Sequence, residues 1–300
     1  MEMKKLSQIK PNALATASQE REGVDIVLSK NIDMSISQQW NMGGWQIQFI
    51  RMGANNTLLL DQSHGRIFIK VVTGELTNIN LRAFADEKTV RSTLVTSEKI
   101  ISGVDGCVFA IFIETNDVGA NVHTMDEVKI IGPLAESFEW KTFEQKFGAF
   151  TDIFDGDDAY MSGGFHLLDD DGTEITYVNL WTAGKGVNLS THNHGGDPSP
   201  IAPAFAEVHW VFNNGTGMGR MYECSEPGSE KLKEYPVQRG EEHGTFFVVD
   251  QAGKPQLREN GAVEYPWHGW EAGTDVQTAT QAYDVVAAFE TNPDYVLITK

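Results

Sequence analysis

Short β-prone runs separated by glycine-bearing turns restrict the fold of this chain more than any other feature of its sequence. The 300 residues include 29 glycines, and Asn-Gly, Asp-Gly and Gly-Gly pairs recur between the runs. Such pairs adopt the backbone conformations of tight turns, whereas the periodicity of amphipathic helices is scarce. The sequence therefore predicts an all-β protein.

Alternating and apolar segments locate the main strands. We predict strands at 24–28, 45–50, 57–60, 67–72, 284–290 and 294–298. Gly74 is expected in the turn after the strand at 67–72, and residues 169–172 (Asp-Asp-Asp-Gly) in a hairpin turn. The aromatic residues at 140, 143 and 147 follow helical spacing, which predicts a short amphipathic helix between the two halves of the chain.

A group of metal-binding residue types lies in the second half. His192 and His194 are one residue apart, and alternate residues of a strand point the same way, so both imidazoles can hold one ion. Glu207 belongs to an alternating run that a neighbouring strand can bring to the same point. His243 would complete a set of three imidazoles and one carboxylate, which divalent transition metals accept as ligands.

The order of these residues resembles the two signature motifs of the cupin superfamily, Gly-x5-His-x-His with a later Glu, and then Gly-x-x-His. The resemblance implies a small antiparallel β-barrel, or double-stranded β-helix, in which His192, His194, Glu207 and His243 bind one divalent metal. Twelve residues separate His194 from Glu207, more than is usual in cupins. We interpret the additional residues as a loop inserted at the mouth of the barrel.

The first half resembles a second cupin barrel that lacks the metal ligands. When Gly53 and Gly74 are aligned with the cupin glycines, the ligand positions fall on Leu59, Asp61 and Ile67. These side chains cannot hold a transition metal, because such an ion needs imidazole nitrogen and further donors. The predicted organisation is an N-terminal arm over 1–35, a degenerate cupin barrel without metal over 36–140 and a metal-binding cupin barrel over 141–300, with the boundary near 135–145.

Two further histidines are candidate catalytic residues, together with Glu207. His209 stands two positions after Glu207, where it can be a metal ligand, a proton shuttle or a histidine hydrogen-bonded within the barrel. His268 lies in Tyr-Pro-Trp-His-Gly-Trp (residues 265–270), which we interpret as an aromatic loop that either contacts a sugar ring or packs internally. The sequence leaves both alternatives open for each histidine.

A narrower resemblance concerns residues 180–186, 195–200 and 204–217, which are similar to the bicupin region of fungal aldos-2-ulose dehydratase/isomerases. It implies a metal-dependent isomerase, tautomerase or dehydratase (lyase) acting on a small carbohydrate-derived ketone such as an anhydro-ketosugar. Zinc is the expected metal, with iron, manganese and nickel as alternatives. An Fe(II) dioxygenase and a non-catalytic sugar-binding bicupin are the alternative functions, because residue identities alone do not distinguish them.

Charge and composition narrow the range of partners. The formal net charge is −19, which disfavours nucleic acid and anionic membrane surfaces as partners, since both need clustered positive charge. No apolar run reaches the ~18 residues of a membrane span, and no apolar stretch follows the N-terminal lysines, so we expect a cytoplasmic protein. The expected partner is a small sugar-derived substrate, and a homodimer is expected by analogy with cupins.

The chain has two cysteines, Cys107 and Cys224, which are too few for a disulfide framework. Cys107 lies in an apolar run and is expected to be a small buried apolar residue. No base is visibly paired with Cys224, which disfavours a nucleophilic role for that thiol.

Overall fold

The computed structural model describes residues 4–5, 16–17, 23–42, 45–60, 67–79, 92–95, 97–114, 141–142, 159–184, 186, 188–192, 206–214, 219–237, 250–251, 256, 264–273 and 283–291. Every regular element in these ranges is a β-strand, so the prediction of an all-β protein is confirmed. Within the same ranges, no helix has the length and hydrophobicity needed to cross a membrane.

The strands of the first half build one large sheet. They are β1 (Lys4–Lys5), β2 (Thr16–Ala17), β3 (Gly23–Val27), β4 (Met34–Ile36), β5 (Trp40–Met42), β6 (Trp45–Met52), β7 (Thr57–Leu59), β8 (Ile67–Leu76), β9 (Ser92–Val95) and β10 (Lys99–Glu114). All except β2 and β3 belong to an eight-stranded sheet, in which the long β10 pairs with β6, β7 and β8. The strands predicted at 24–28, 45–50, 57–60 and 67–72 are confirmed as β3, β6, β7 and β8.

Apolar side chains form a continuous core within this sheet. Its buried members are Met34, Ile36, Ile50, Met52, Leu58, Leu60, Ile67, Ile69, Val71, Leu76, Val95, Ile100, Cys107, Phe109, Ile111 and Ile113. Ile67 stands at the position aligned with the cupin glutamate, so a hydrocarbon side chain lies in the core where the motif has a carboxylate. Cys107 is a buried member of the same core, as its apolar surroundings in the sequence predict.

The second half contributes two sheets. Its strands are β11 (Lys141–Thr142), β12 (Ala159–Leu168), β13 (Glu174–Gly184), β14 (Asn188–His192), β15 (Ala206–Asn214), β16 (Gly219–Cys224), β17 (Lys231–Val237), β18 (Trp267–Glu271) and β19 (Tyr283–Thr291). A seven-stranded sheet has the order β15-β19-β13-β12-β3-β2, with β11 also on β12, and a four-stranded sheet has the order β14-β18-β16-β17. The strand predicted at 284–290 is confirmed as β19, while residues 294–298 lie outside the described residues.

One residue from each of five neighbouring strands forms an apolar row across the seven-stranded sheet. From β3 to β15, this apolar row consists of Val24, Phe165, Val178, Phe289 and Val208. The ring of Phe165 packs against Phe49 of β6, with centroids 5.3 Å apart, and Phe289 packs against Phe112 of β10 at 6.3 Å. The face that carries the apolar row therefore packs onto the eight-stranded sheet.

The strand β3 connects the N-terminal segment to the second half. It pairs in parallel with β12, and the Leu28 N–H continues the pairing by donating to the Leu168 carbonyl over 2.9 Å. Arg51 of β6 donates from Nη1 to the Leu28 carbonyl over 3.1 Å. Lys30 bonds to Asp171, and this hydrogen bond raises the pKa of the lysine. The N-terminal segment thus supplies a strand to a sheet built mainly from the second half.

The turn between β12 and β13 is the predicted hairpin. The Asp169 carboxylate accepts the backbone N–H groups of Asp171 and Thr173 over 2.9 and 3.1 Å, and Gly172 has a φ of 78°. Aspartate and glycine are favoured in such turns for these two reasons, the first as a local acceptor and the second for its tolerance of positive φ. The three consecutive aspartates at 169–171 therefore belong to a turn.

The helix predicted from the aromatic spacing is wrong at 141–142, where the chain forms β11. Lys141 and Thr142 pair with Met161 and Tyr160 of β12. Aromatic residues are favoured in strands as well as in helices, and here the backbone pairing with β12 outweighs the helical spacing. The rest of that segment lies outside the described residues, so the domain boundary near 135–145 stays a prediction.

The prediction that Gly74 lies in a turn after a strand is wrong, because Gly74 lies inside β8. Its φ is 77°, and a Cβ there would lie 2.1 Å from the Gly106 carbonyl oxygen of β10. The register between β8 and β10 shifts between the pairs of Ser102 and Cys107. Gly74 is therefore required by a close backbone approach at an irregular pairing, which a turn signal in the sequence resembles.

Replacing Gly74 by alanine should destabilise the protein strongly. We expect Gly74→Ala to lower the free energy of unfolding by more than the ~1–2 kcal/mol of left-handed strain alone, because the new Cβ also meets the backbone of β10. Gly228→Ala is the matched control, since Gly228 has a φ of 78° and no atom within 4 Å of a built Cβ. Equal losses for both variants in urea denaturation would contradict this prediction.

The packing between the two large sheets should depend on the apolar row. We expect Phe165→Ala to lower the free energy of unfolding by ~3–5 kcal/mol, because it removes a buried ring from the contact with Phe49. Val104→Ala, at a side chain that is 72% exposed, should change stability by less than ~0.5 kcal/mol. A small loss for Phe165→Ala in the same denaturation experiment would show that this contact is not part of the core.

Candidate functional site

His192 and His268 occupy opposite positions on neighbouring strands of the four-stranded sheet. His192 is the last residue of β14, and its backbone pairs with that of His268 in β18. On its other side, His268 pairs with Glu223 of β16. The structure describes His192 through its backbone, and His194 lies outside the described residues. Two of the candidate histidines thus adjoin in the backbone register of one sheet.

The prediction that His268 lies on an aromatic loop is wrong, because His268 lies in the strand β18. Its side chain is completely buried, at 0% exposure, and Nδ1 is 2.9 Å from the Pro266 carbonyl oxygen. Since a carbonyl only accepts, Nδ1 carries the proton and Nε2 has the lone pair in the neutral ring. Composition suggested a loop, but pairing with both β14 and β16 makes residues 267–271 a central strand.

The ring of Trp270 connects the strand of His268 to the facing sheet. It lies on the same strand, two residues after His268, and packs 6.2 Å from the ring of His209. A Cβ on Gly219 would lie 2.4 Å from the Trp270 ring. The absence of a side chain at Gly219 therefore lets the tryptophan reach His209 on the facing sheet.

Glu207 and His209 lie in β15, which is the last strand of the seven-stranded sheet within the described part of the chain. In the backbone register, Glu207 pairs with Glu290 and His209 with Ala288. His209 is 5% exposed, and its ring contacts Trp270 of the four-stranded sheet. The face of the seven-stranded sheet that carries His209, here called the inner face, is therefore covered by the four-stranded sheet. Glu207 is described through its backbone.

A polar row runs beside the apolar row, one residue along on each strand. From β3 to β15, this polar row consists of Asp25, His166, Tyr177, Glu290 and Glu207. Successive residues of a strand belong to opposite faces of a sheet, so the positions of the polar row belong to the inner face, with His209. The candidate metal ligand Glu207 thus shares one line of the register with four other titratable residues.

The motifs in the sequence do not single out His166, which the structure places in this row. Its Nδ1 lies 2.5 Å from Glu174 Oε1, and its ring packs 4.8 Å from the ring of Tyr177. A usable signal was present, because a hairpin turn at 169–172 brings the residues before and after it together. His166 and Glu174 are such a pair, eight residues apart.

A hydrogen-bond network connects the strand that ends at His192 to its neighbours. Tyr222 of β16 donates its hydroxyl proton to Asn188 Oδ1 over 2.9 Å, and Asn188 Nδ2 donates to Glu271 of β18 over 3.3 Å. Burial raises the pKa of Tyr222, so the phenol stays neutral and keeps its donor proton. Cys224 is buried in the same sheet, with its sulfur 3.9 Å from the Thr191 hydroxyl.

The chemistry of the predicted ligand set suits a divalent transition metal, since three imidazoles and a carboxylate are the donors that zinc, iron, manganese and nickel accept. Among the side chains that the structure describes, no three histidine, cysteine, aspartate or glutamate residues gather as a ligand set. His243, like His194, lies outside the described residues. The four-residue metal site therefore stays a prediction. Near the backbone positions of His192 and Glu207, the structure does place two buried histidines on facing sheets, His268 and His209.

A characterised protein of related sequence is the aldos-2-ulose dehydratase of Phanerodontia chrysosporium, which is 30% identical over 223 residues. The alignment covers 66% of this chain and 24% of the relative. The chain thus spans about a quarter of the length of that enzyme.

Two solved structures align with most of this chain at low sequence identity and a low TM-score. The cupin 2 conserved barrel domain protein from Leptotrichia buccalis is 13% identical, with a TM-score of 0.28, over 86% of this chain and 89% of that chain. AerE from Microcystis aeruginosa is 10% identical, also with a TM-score of 0.28, over 86% of this chain and 92% of that chain. Similarity at this level says nothing about activity.

The family described as the cupin domain of aldos-2-ulose dehydratase/isomerase matches residues 15–292. That range includes β3, both facing sheets of the second half and all four predicted metal ligands. The resemblance carried by the two histidine motifs is thereby confirmed, and the chain belongs to the aldos-2-ulose dehydratase/isomerase cupin-domain family.

Proposed function

We propose that this protein is a metal-dependent isomerase, tautomerase or dehydratase (lyase) acting on a small carbohydrate-derived ketone, such as an anhydro-ketosugar. The observation that carries the proposal is the pair of buried histidines on facing sheets, His209 and His268, next to the backbone positions of Glu207 and His192. Membership of a carbohydrate dehydratase/isomerase family supports the substrate class. The chain spans about a quarter of the fungal relative. The proposal therefore concerns a reaction of this chain, and not the complete reaction of the longer enzyme.

In this proposal one divalent metal, zinc before iron, manganese or nickel, is held by His192, His194, Glu207 and His243. When bound, it supplies Lewis-acid chemistry that polarises a carbonyl or hydroxyl oxygen of the substrate. A five- or six-coordinate ion held by three imidazoles and one carboxylate would have one or two positions left for a substrate oxygen.

The protein residues supply proton transfer. Isomerisation moves a proton from the carbon next to a carbonyl to a neighbouring atom, and dehydration adds a proton to a departing hydroxyl group, so neither reaction needs an oxidant. We assign the transfer to His209, with Glu207 as the alternative base. We assign His268 a part in the same proton transfer through its Nε2 atom, because its Nδ1 proton is hydrogen-bonded to the Pro266 carbonyl.

Metal analysis and a substrate screen test this proposal. The purified full chain should contain about one equivalent of a divalent metal, and it should convert at least one anhydro-ketosugar without consuming oxygen. Removal of the metal by a chelator should abolish conversion, and adding the metal back should restore it. His192→Ala should lose most of the metal and the activity, whereas His64→Ala, a histidine outside both motifs, should keep both.

Two outcomes would overturn the proposal. Oxygen consumption that depends on iron would make the protein a dioxygenase. Tight sugar binding without turnover, at full metal content, would make it a binding protein.

A homodimer stays an expectation from analogy, and sedimentation of the same preparation measures it.

The role of His268 can be separated from its structural bond. In His268→Asn the amide N–H can still donate to the Pro266 carbonyl, while the Nε2 group is lost. We expect kcat to fall about a hundredfold or more, with the thermal midpoint nearly unchanged, because general acid–base groups contribute at least this factor. His268→Gln, which keeps a polar group near the position of Nε2, should lose less activity. Equal, small losses in both variants would assign His268 to packing alone.

A further inference from the structure

His166, the second residue of the polar row, is a buried histidine whose ring is fixed on one side. His166 is 8% exposed, and Glu174 holds its Nδ1 at 2.5 Å. The ring of Tyr177 covers one flank of the imidazole at a centroid distance of 4.8 Å. Gly164 makes room for that tyrosine, since a Cβ there would lie 2.2 Å from the Tyr177 ring. The imidazole is therefore held in one orientation by a carboxylate and an aromatic ring.

The other nitrogen of this ring has no partner among the described residues. His166 Nε2 is buried without a hydrogen bond, and so is Asp25 Oδ1 on the neighbouring strand β3. The two residues are register partners, and paired strands lie ~4.8 Å apart, but these two atoms do not bond to each other. Two adjacent buried polar atoms without partners are unusual, because each costs free energy unless a further group satisfies it.

The chemistry of the two atoms selects the group that can bind them. Asp25 Oδ1 accepts hydrogen bonds when ionised, while His166 Nε2 accepts in the neutral ring and donates in the charged ring. A hydroxyl group can donate its one proton to either atom of the neutral pair. It can also accept from the imidazolium while it donates to the aspartate. An ionised ligand carboxylate can do neither, because it has no proton to donate to the aspartate or to the neutral ring.

The position of the pair connects it to the site described above. His166 lies on the inner face with His209, and its row ends at Glu207, three strand spacings or ~14 Å along the sheet. A ligand portion bound at His166 would thus lie beside, and not at, the proposed metal position.

We propose that Asp25 and His166 form a subsite for the hydroxyl groups of a neutral polyol, with Glu174 as the positioning residue for the imidazole. This proposal rests on the proposed function for its substrate class, a sugar derivative, but not for its metal or its reaction. The subsite combines distant parts of the chain, because Asp25 comes from the N-terminal strand β3 and His166 from β12.

The test uses the full chain and two probes of matched length, sorbitol and gluconate. Sorbitol is a neutral polyol without a carbonyl group, so binding is measured without turnover, and gluconate carries a carboxylate at one end. We expect sorbitol to shift the imidazole ¹⁵N signal of His166 in histidine-labelled protein, and calorimetry to show at least tenfold weaker binding of gluconate. His166→Asn, which keeps an N–H donor for Glu174, should weaken sorbitol binding about tenfold, the effect of one lost hydrogen bond to a buried group.

Controls separate this inference from the proposed function. Asp25→Asn should weaken sorbitol binding, whereas Asp105→Asn, at an exposed aspartate of β10, should leave it unchanged. The titrations are repeated after chelation, since the subsite should bind sorbitol without metal. His166-dependent sorbitol binding without any ketosugar conversion would support the subsite and overturn the proposed function.

Three results would overturn the subsite even if a ketosugar is converted. They are an unchanged His166 signal on addition of sorbitol, equal sorbitol affinity in His166→Asn and the unmodified chain, and gluconate binding as tightly as sorbitol. If His166→Asn does not fold, the signal in the unmodified protein decides alone.

Discussion

Backbone pairing across the seven-stranded sheet determines which groups of this protein can meet. Once Phe165 and Phe289 are turned towards the eight-stranded sheet, strict alternation commits His166 and the position of Glu207 to the opposite face. A shift of one residue in β12 could exchange the contact of Phe165 for a histidine, and one in β19 could exchange the contact of Phe289 for a glutamate. The burial of the aromatic rings therefore protects the polar face, although it involves none of the polar residues.

The two halves of the chain use the same kind of sheet for different purposes. In the first half, both the residue aligned with the cupin glutamate, Ile67, and its neighbours contribute hydrocarbon to a closed core. In the second half, the inner face carries His166 and His209, and the sheet facing it contributes His268. A hydrocarbon interior needs no partners, whereas buried imidazoles need hydrogen bonds or ligands, so the two interiors differ in the polar groups that must be satisfied.

Local patterns in the sequence were sufficient for the strands and for the family. Alternating runs predicted β6, β8 and β19, and the two histidine motifs predicted the cupin family. Composition misled where long-range pairing decides the outcome, as for the aromatic segment around β11 and for His268, whose Pro-Trp-rich surroundings resemble a loop. The backbone pairing of Asp25 with His166 could not be predicted for the same reason, because no local pattern relates two strands about 140 residues apart.

Within the candidate site, the sequence supplied residue types and their order, but not their geometry. That His209 and Glu207 share one strand could be predicted, because alternation is a local property of one strand. The ring of Trp270 reaches His209 only because Gly219, on a third strand, has no side chain. Such complementarity between separate segments is a property of the packed sheets and leaves no signature in either segment alone.

The parallel pairing of β3 with β12 also affects how the protein is made. Ile26 and Leu28 are completely buried in the finished fold, yet the ribosome must add about 140 further residues before β12 exists to receive them, as the 140-residue span from Lys30 to Asp170 illustrates. Until then this apolar strand has an unpaired edge, which is open to mispairing with other nascent chains. Translation speed and chaperone access in this interval should therefore limit the yield of active protein, even though the completed molecule buries both of these side chains.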